Sequence, residues 1–565
     1  MNEMSVPPGP DFLTGNTVEP VITAAETYAM VEAAIMDAQD TVFMAYWTFD
    51  PRMKTVRDDA EQNWASLIDQ TIRRGINIRI LLADFDPILG YREHHEAWRN
   101  FRHLHHIKNQ LPPEDRDRLQ ILCSRHDARV GTTVSTLFQP LLCHRLTRLI
   151  ESEKDADEFQ DAPGLWGHLD RNDDGDFSER ISEWLTTYPA AHHEKLCVID
   201  DRVAFVGGLD LNRRRLDDIQ HSDPQPWHDV ACRLEGPIAA YFGQHFRGRW
   251  NRERDDILKR LDEVIEHGKR LGLDTDVPDT QRHTDPIPTG TTDKDEGLAL
   301  TDIEKWLHQQ EAPIVVPLRT VSKQSKSSFS RTPVSADHSF FSAYKAIIAK
   351  AQDTIYVETQ FLRSTPIVDA LIEQKKAEAG LQLIVLLPLL PERMINDEEP
   401  NPATRHGHHL QKTAIKRLEK AYGEDFGSFT LMRALPNPVY GIDHPKSLNH
   451  NHIYIHAKTM VVDDRYAIIG SANLNGRSML TDTETGVLWH DPEGVRAYRI
   501  RLWQHALGSW PDDQPAIKAL DYWHRTANTN ACGGGVPSEG FVVPLLAAAL
   551  DHYAEASLLV PEELV

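Results

Sequence analysis

Apolar residues recur at helical spacing at Tyr28, Val31 and Ile35, and the apolar run VFMAYW follows the tetrapeptide Ala38-Gln39-Asp40-Thr41. The spacing predicts a helix and then a buried strand. Trp64, Leu67, Ile68, Thr71 and Ile72 mark a second helical face, which stops at Gly75 before the strand-like INIRILLADF. The same order returns 313 residues later. Phe341, Tyr344, Ile347 and Ile348 predict a helix, Ala351-Gln352-Asp353-Thr354 precedes IYVETQF, and a helix from Val368 to Ala379 leads through Gly380 to LQLIVLLPLL. Helix and strand alternating in both parts predict an α/β fold of two duplicated units around parallel or mixed sheets.

The repeat carries a second pair of matching strings further on. His193-Glu194-Lys195 is followed by four residues, Asp200, six residues and Gly207-Gly208; His456-Ala457-Lys458 is followed by four, Asp463, six and Gly470-Ser471. From Ala38 to His193 is 155 residues and from Ala351 to His456 is 105, which places an insertion of about 50 residues in the acidic stretch of roughly 146–190. The expected organisation is a first catalytic half over 1–250, a helical or flexible linker over 251–314, a second half over 315–510 and a tail over 511–565. Residues 274–297, rich in Pro, Thr, Gly and Asp, read as a flexible linker or long loop. The basic, Ser-rich run from Arg319 to Arg331 reads either as a solvated loop or as an anion-attracting lip over the site.

Each paired string reads as a hairpin. Alternation along a strand puts His193 and Lys195 on one face, and likewise His456 and Lys458. Asp200 and Asp463 fall at the turns, where a carboxylate caps backbone amides, so a structural role is expected for both. Gly207, Gly208, Gly470 and Ser471 allow close backbone approach at the far ends. A neutral imidazole can attack phosphorus and form a covalent intermediate, while a second, protonated imidazole delivers a proton to the leaving alcohol. Lys195, Lys458 and Asn473 can hold the non-bridging oxygens. Each histidine also needs a carboxylate to fix its tautomer. Asp229 in PWHDVACRL and Glu484 in TDTETGV stand at corresponding places after the two strings and are nominated for this. This chemistry requires no metal or other cofactor.

One further motif lies in the insertion. Asp170 to Phe177 matches the first eight positions of an EF-hand loop, with oxygen ligands at Asp170, Asn172 and Asp174, but its twelfth position is Ile181 instead of glutamate. A weak calcium site and a plain acidic turn are both open. The five cysteines are odd in number and scattered, which excludes a disulfide framework. A net charge of −24 gives no general attraction for nucleic acid, so a nucleic-acid partner is not expected. The first residues lack a basic and then apolar leader, and no apolar stretch is long enough to span a bilayer. The expectation is a cytoplasmic or peripheral membrane protein, with export lacking a classical signal left open. Two halves supply a complete site, so a monomer suffices.

The twin strings resemble the signature of the phospholipase D superfamily, H-x-K-x4-D-x6-G-[GS] present twice. GSANLNGRSM, IYVETQFL and PWHDVACRLEGPIAAYF are similar to segments of eukaryotic-type phospholipases D. The resemblance covers roughly 25–250 and 315–510. It implies two pseudo-symmetric α-β-α halves around one shared active site, with His193 as nucleophile and His456 as general acid. Lys195, Lys458 and Asn473 are implied as phosphate ligands. The implied reaction is hydrolysis of a glycerophospholipid, met at a membrane surface, to phosphatidic acid and a headgroup alcohol, with transfer to other alcohols. Cardiolipin synthase-like transfer, nuclease activity, an exported phospholipase toxin and a dead lipid-binding protein are the rival readings. No C2, PH or PX lipid-binding module is legible ahead of the first half, a departure from the eukaryotic pattern.

Overall fold

Strand alternation decides how the chain is layered. In β2 (Thr41–Tyr46), Val42, Met44 and Tyr46 face one core and Phe43 and Ala45 face another. The computed structural model describes residues 14–565 except 58–61, 154–155, 181–183, 290–299, 310–312, 391, 393–400, 436–450, 512–515, 518, 534, 546–549, 552–553 and 558–559. The first sheet runs β1 (Thr17–Ile22), β10 (Val230–Glu235), β8 (Val203–Gly207), β7 (Leu196–Ile199), β2, β3 (Asn77–Asp84), β4 (Leu119–Arg125). The second repeats this order with β11 (Ile314–Lys323), β19 (Glu484–His490), β18 (Tyr466–Gly470), β17 (Lys458–Val462), β13 (Thr354–Thr359), β14 (Gln382–Leu386) and β15 (Phe426–Met432). Three strands in each are parallel and the rest antiparallel, so both sheets are mixed.

The outer faces of the sheets are covered by helices such as Ala24–Met36 and Trp64–Arg73 in one half and Ser339–Ile348 and Thr365–Ala377 in the other. The inner faces share a single core with the helices Pro237–Arg270 and Pro492–Leu507. There β8 and β10 lie against β18 and β19. The halves are laced at two further points. β9 (Trp227–His228), from the first half, pairs in parallel with β16 (His452–Ile455) at the end of the second sheet, and His192 bridges to Thr483. β12 (Val334–His338) pairs with β11 at the opposite edge.

The extra length of the first half lies between β4 and β7. It contains the helix Thr132–Ser152, which runs through residue 146, so the insertion opens earlier than the spacing placed it. It ends in the hairpin of β5 (Leu169–Arg171) and β6 (Phe177–Glu179) and has its own small core around Trp166. The other expected boundaries also cross elements. The helix Pro237–Arg270 spans 250, and β11 begins at 314. Residues 274–289 are not a free linker: Gln281 accepts from the Cys123 amide at 2.8 Å, Asp285 exchanges bonds with Gln120, and Ile287 donates to Asn251. Residues 290–297 of that stretch lie outside the described residues. The tail contributes β20 (Val542–Pro544) to the second sheet beside β15.

Candidate active site

Both hairpin turns use the left-handed backbone, with φ of 53° and 55° at Asp200 and Asp201 and of 52° and 54° at Asp463 and Asp464. Such paired positive φ values match the twist of the flanking strands. The turn carboxylates do not cap their own turn. Asp200 accepts from the amides of Gln39, Asp40 and Thr41, each at 2.8 Å. Asp463 accepts from Gln352, Asp353 and Thr354 at 2.7, 2.9 and 2.8 Å. The two repeated strings in each half therefore bind each other. The adjacent aspartates match as well: Asp201 holds Arg247 and Asp464 holds Arg499, each through two bonds to a helix of the central layer.

The histidines sit just ahead of the strands, not within them, since β7 begins at Leu196 and β17 at Lys458. Alternation nevertheless persists. Glu194 turns away from the site onto Arg249 and His245, while the Lys195 ammonium returns to the His193 carbonyl at 2.9 Å. Lys458 reaches the His456 carbonyl in the same way. Lys195 also lies 3.5 Å from Asp210.

Asp229 and Glu484 serve the two histidines crosswise. The Glu484 carboxylate lies 2.9 Å from Nδ1 of His193, and Asp229 lies 2.6 Å from Nδ1 of His456. Backbone bonds fix the crossing: the His193 amide donates to the Thr483 carbonyl and the His456 amide to the His228 carbonyl. A carboxylate on Nδ1 holds the proton there and turns Nε2 of each ring toward the site. The small residues are part of this arrangement. A Cβ at Gly208 would stand 2.1 Å from the Asp229 carboxylate, whereas the Ser471 hydroxyl donates to Glu484 at 2.5 Å. Gly207 and Gly470 instead let β8 and β18 approach Ala231 and Gly486 on their neighbours.

Burial and neighbouring charge shift each of these groups toward its uncharged form. Burial, reinforced by Lys195 and Lys458, holds the His193 imidazole well below its usual range; burial and Lys458 do the same to His456. Burial lowers Lys195 and brings Lys458 down to about 7. It also raises Asp229 to about 6 and pushes Glu484 well up. The site is thus prepared for a ligand that carries the missing negative charge. Asn473 is buried beside it, its amide nitrogen 3.2 Å from Gln360 and its carbonyl oxygen without a protein partner.

Arg215 was not singled out from sequence. It is 6% exposed, makes no hydrogen bond through Nε or Nη1, though Nη1 lies 3.8 Å from the Glu392 carboxylate, stacks 3.8 Å over the Trp227 ring, and its charge acts on both histidines and both lysines. Nothing local distinguishes it from Arg213 and Arg214 beside it, which are exposed. Arg477 is also close enough to lower His193, but it is tied to Asp482, which in turn accepts from the Ala191 amide.

The EF-hand-like loop lacks the frame of a calcium site. Strands β5 and β6 flank it, Asp170 is held by Arg270, and the Asn172 side chain accepts from the Asp176 amide at 2.8 Å. Ile181 lies outside the described residues. A buried group of His221, His228 and His505 has ligand atoms within 4.8 Å of one another. Tetrahedral zinc would draw its ligand nitrogens to about 3.3 Å. These rings pair instead: His221 and His505 meet at 2.9 Å, with Asp217 on His221 at 2.7 Å and Glu358 on His228 at 2.7 Å. They form a hydrogen-bonded wedge between the halves, directly behind Asp229.

Two mixed sheets of identical strand order, joined at a pair of crossed histidine–carboxylate contacts, define the class of protein. A family model described as phospholipase D matches residues 219–367, and one described as the phospholipase D-like domain of cardiolipin synthase matches 344–505. The chain is 25% identical over 536 residues to phospholipase D zeta 1 of Arabidopsis thaliana, covering 63% of this chain and 48% of that protein. It is 26% identical over 390 residues to phospholipase D2 of Bos taurus, covering 54% and 38%. The solved structure of a phosphatidylserine synthase from Haemophilus influenzae Rd KW20 aligns with a TM-score of 0.45 and 12% identity over 86% of each chain. The chain belongs to the phospholipase D superfamily. It spans about half the length of the curated relatives it matches. Among the described residues no helix is long and apolar enough to cross a membrane.

Proposed function

We propose that this chain is a phospholipase D-type phosphodiesterase that hydrolyses glycerophospholipids to phosphatidic acid and a free headgroup. The observation that carries the reading is the crossed pair His193–Glu484 and His456–Asp229. It leaves two Nε2 atoms free at one junction among lysines. In the first step Nε2 of His193 bonds to phosphorus as the phosphorus–oxygen bond to the headgroup breaks, and Nε2 of His456 gives its proton to the departing oxygen. Water then loses a proton to His456, its oxygen bonds to phosphorus and the phosphorus–nitrogen bond breaks. Lys195, Lys458 and Asn473 hold the non-bridging oxygens, and the neighbouring guanidinium of Arg215 adds to the same field. The family resemblance assigns His193 the nucleophile and His456 the acid; the His193 side chain is the more exposed of the two, 17% against 4%.

An alcohol in place of water gives a new phosphodiester, so phosphatidyl transfer uses the same intermediate. The test is mass-spectrometric identification of products from a mixed lipid extract, with and without ethanol. Phosphatidic acid, and phosphatidylethanol when ethanol is present, are expected. Cleavage on the diacylglycerol side of phosphorus would sink the reading. With a p-nitrophenyl phosphodiester, whose leaving group needs no proton, His456→Ala is expected to release p-nitrophenolate and accumulate the remaining alkyl phosphoryl group on His193; that group found on another residue would refute the assignment.

A further inference from the structure

The chain carries 85 acidic against 61 basic residues, yet it has no Asp or Glu from 128 to 150 or from 312 to 336. The fold brings these two stretches together. Gly131 donates to the Ser330 carbonyl at 2.7 Å, Thr133 to that of Ser328 at 2.9 Å, and Arg129 to the Gln324 side chain at 2.6 Å. A Cβ at Gly131 would fall 2.3 Å from the Ser328 oxygen, so the contact needs glycine.

The joined surface pairs exposed apolar groups with a basic fringe. Leu137 and Leu141, one turn apart on the helix Thr132–Ser152, are 76% and 48% exposed, and Phe329 at the loop tip is 73% exposed. Trp184 is 59% exposed, next to Leu185, which is tied to that helix through Ser135 and Gln139. Lys323, Lys326 and Arg331 are exposed, and among the described residues none of them meets a carboxylate. Two segments lead from the neighbourhood of this surface to the catalytic pair. Ser322, the residue before Lys323, donates to the Thr481 carbonyl, three residues ahead of Glu484. The segment that starts at Trp184 reaches His193 nine residues on.

We infer that this surface docks the protein on an anionic phospholipid bilayer, with Leu137, Leu141 and Phe329 entering the interface and Lys323, Lys326 and Arg331 meeting the headgroups. Apolar and aromatic side chains ringed by lysine and arginine suit the boundary between headgroup and acyl chain. Against a net charge of −24, a local basic surface is what orients the protein toward a negative membrane. The inference rests on the phospholipid reading for what is delivered to the site, but its test does not depend on turnover.

The test is co-sedimentation of the full chain with vesicles of phosphatidylcholine containing about one-third phosphatidylglycerol, and with pure phosphatidylcholine. Each basic side chain near an anionic surface is worth roughly fivefold in affinity, so K323E/K326E/R331E should weaken binding to the mixed vesicles on the order of a hundredfold or more. L137S/F329S should weaken binding to both vesicle types. Both variants should turn over a soluble short-chain phosphodiester as the parent does and lose turnover only on vesicles. Unchanged vesicle binding by both variants would overturn the proposal. So would a loss of duplex DNA binding in the charge-reversed variant with vesicle binding intact. If vesicle binding follows expectation but no phospholipid or soluble diester is cleaved, the docking surface stands and the proposed activity falls.

Discussion

Replacing Glu484 with Gln keeps the side chain's shape and its place beside Ser471 but puts an amide, which cannot become a carboxylate, against Nδ1 of His193. The expected loss is in kcat, on the order of 10³-fold or more, with KM little changed, because the tautomer and not the substrate contact is spoiled. Asp229→Asn should do the same through His456. Steady-state kinetics on both variants would expose the opposite pattern, a KM effect alone, and so refute the orienting role. The free site also sets a pH dependence. Asp229 takes up its proton as pH falls through about 6, which removes the charge supporting a His456 imidazolium. Lys458 loses its proton as pH rises through about 7, which removes attraction for the phosphate. The value of kcat/KM should therefore peak between these two points and fall on both sides. Lys458→Arg, which cannot discharge, should flatten the alkaline limb; an unchanged limb would assign it to another group. At this scale the histidines and lysines were legible because they stand in the repeated strings, and Asn473 because it lies two residues past the second. Which carboxylate serves which histidine was not, since the partners lie 291 and 227 residues apart.

Within the hairpins, one residue of each string does work that the string alone does not reveal. The Asp463 carboxylate gathers three backbone amides that lie over 100 residues earlier in the chain. Asp463→Ala gives up three bonds to a charged acceptor, two of them at exposed amides that water can reach, and should cost about 2 kcal/mol. A melting temperature lower by several degrees is expected, with the activity of the folded fraction retained; no change in melting would refute the clamp. The neighbouring glycines separate cleanly by contact. Gly208→Ala would press on the Asp229 carboxylate and should abolish turnover with little effect on melting. Gly207→Ala presses on the backbone of β10 and should lower the melting temperature itself. Helix and strand order was legible here because amphipathic spacing and apolar runs are local. The insertion's start was not, because the helix Thr132–Ser152 is mostly exposed and carries a weak apolar stripe.

Across the whole molecule, the duplication predicted from Ala38-Gln39-Asp40-Thr41 and Ala351-Gln352-Asp353-Thr354 is the identity of strand order in two sheets. The repeat could not show that the halves exchange parts. β9 leaves the first half to extend the second sheet, and residues expected to form a loose linker are bonded to the first half instead. Such exchange depends on long-range packing, for which a single chain carries no periodic signal.

The exchanged carboxylates have a consequence for ancestry. A solitary half would hold a histidine without its acid, so an unduplicated forebear could have worked only as a symmetric pair, each copy lending its acid to the other. In such a pair no substitution can distinguish donor from attacker, because both copies change together. Fusion lifted that restriction. Aspartate on one side and glutamate on the other, glycine at 208 and serine at 471, are places where the two halves of this chain differ.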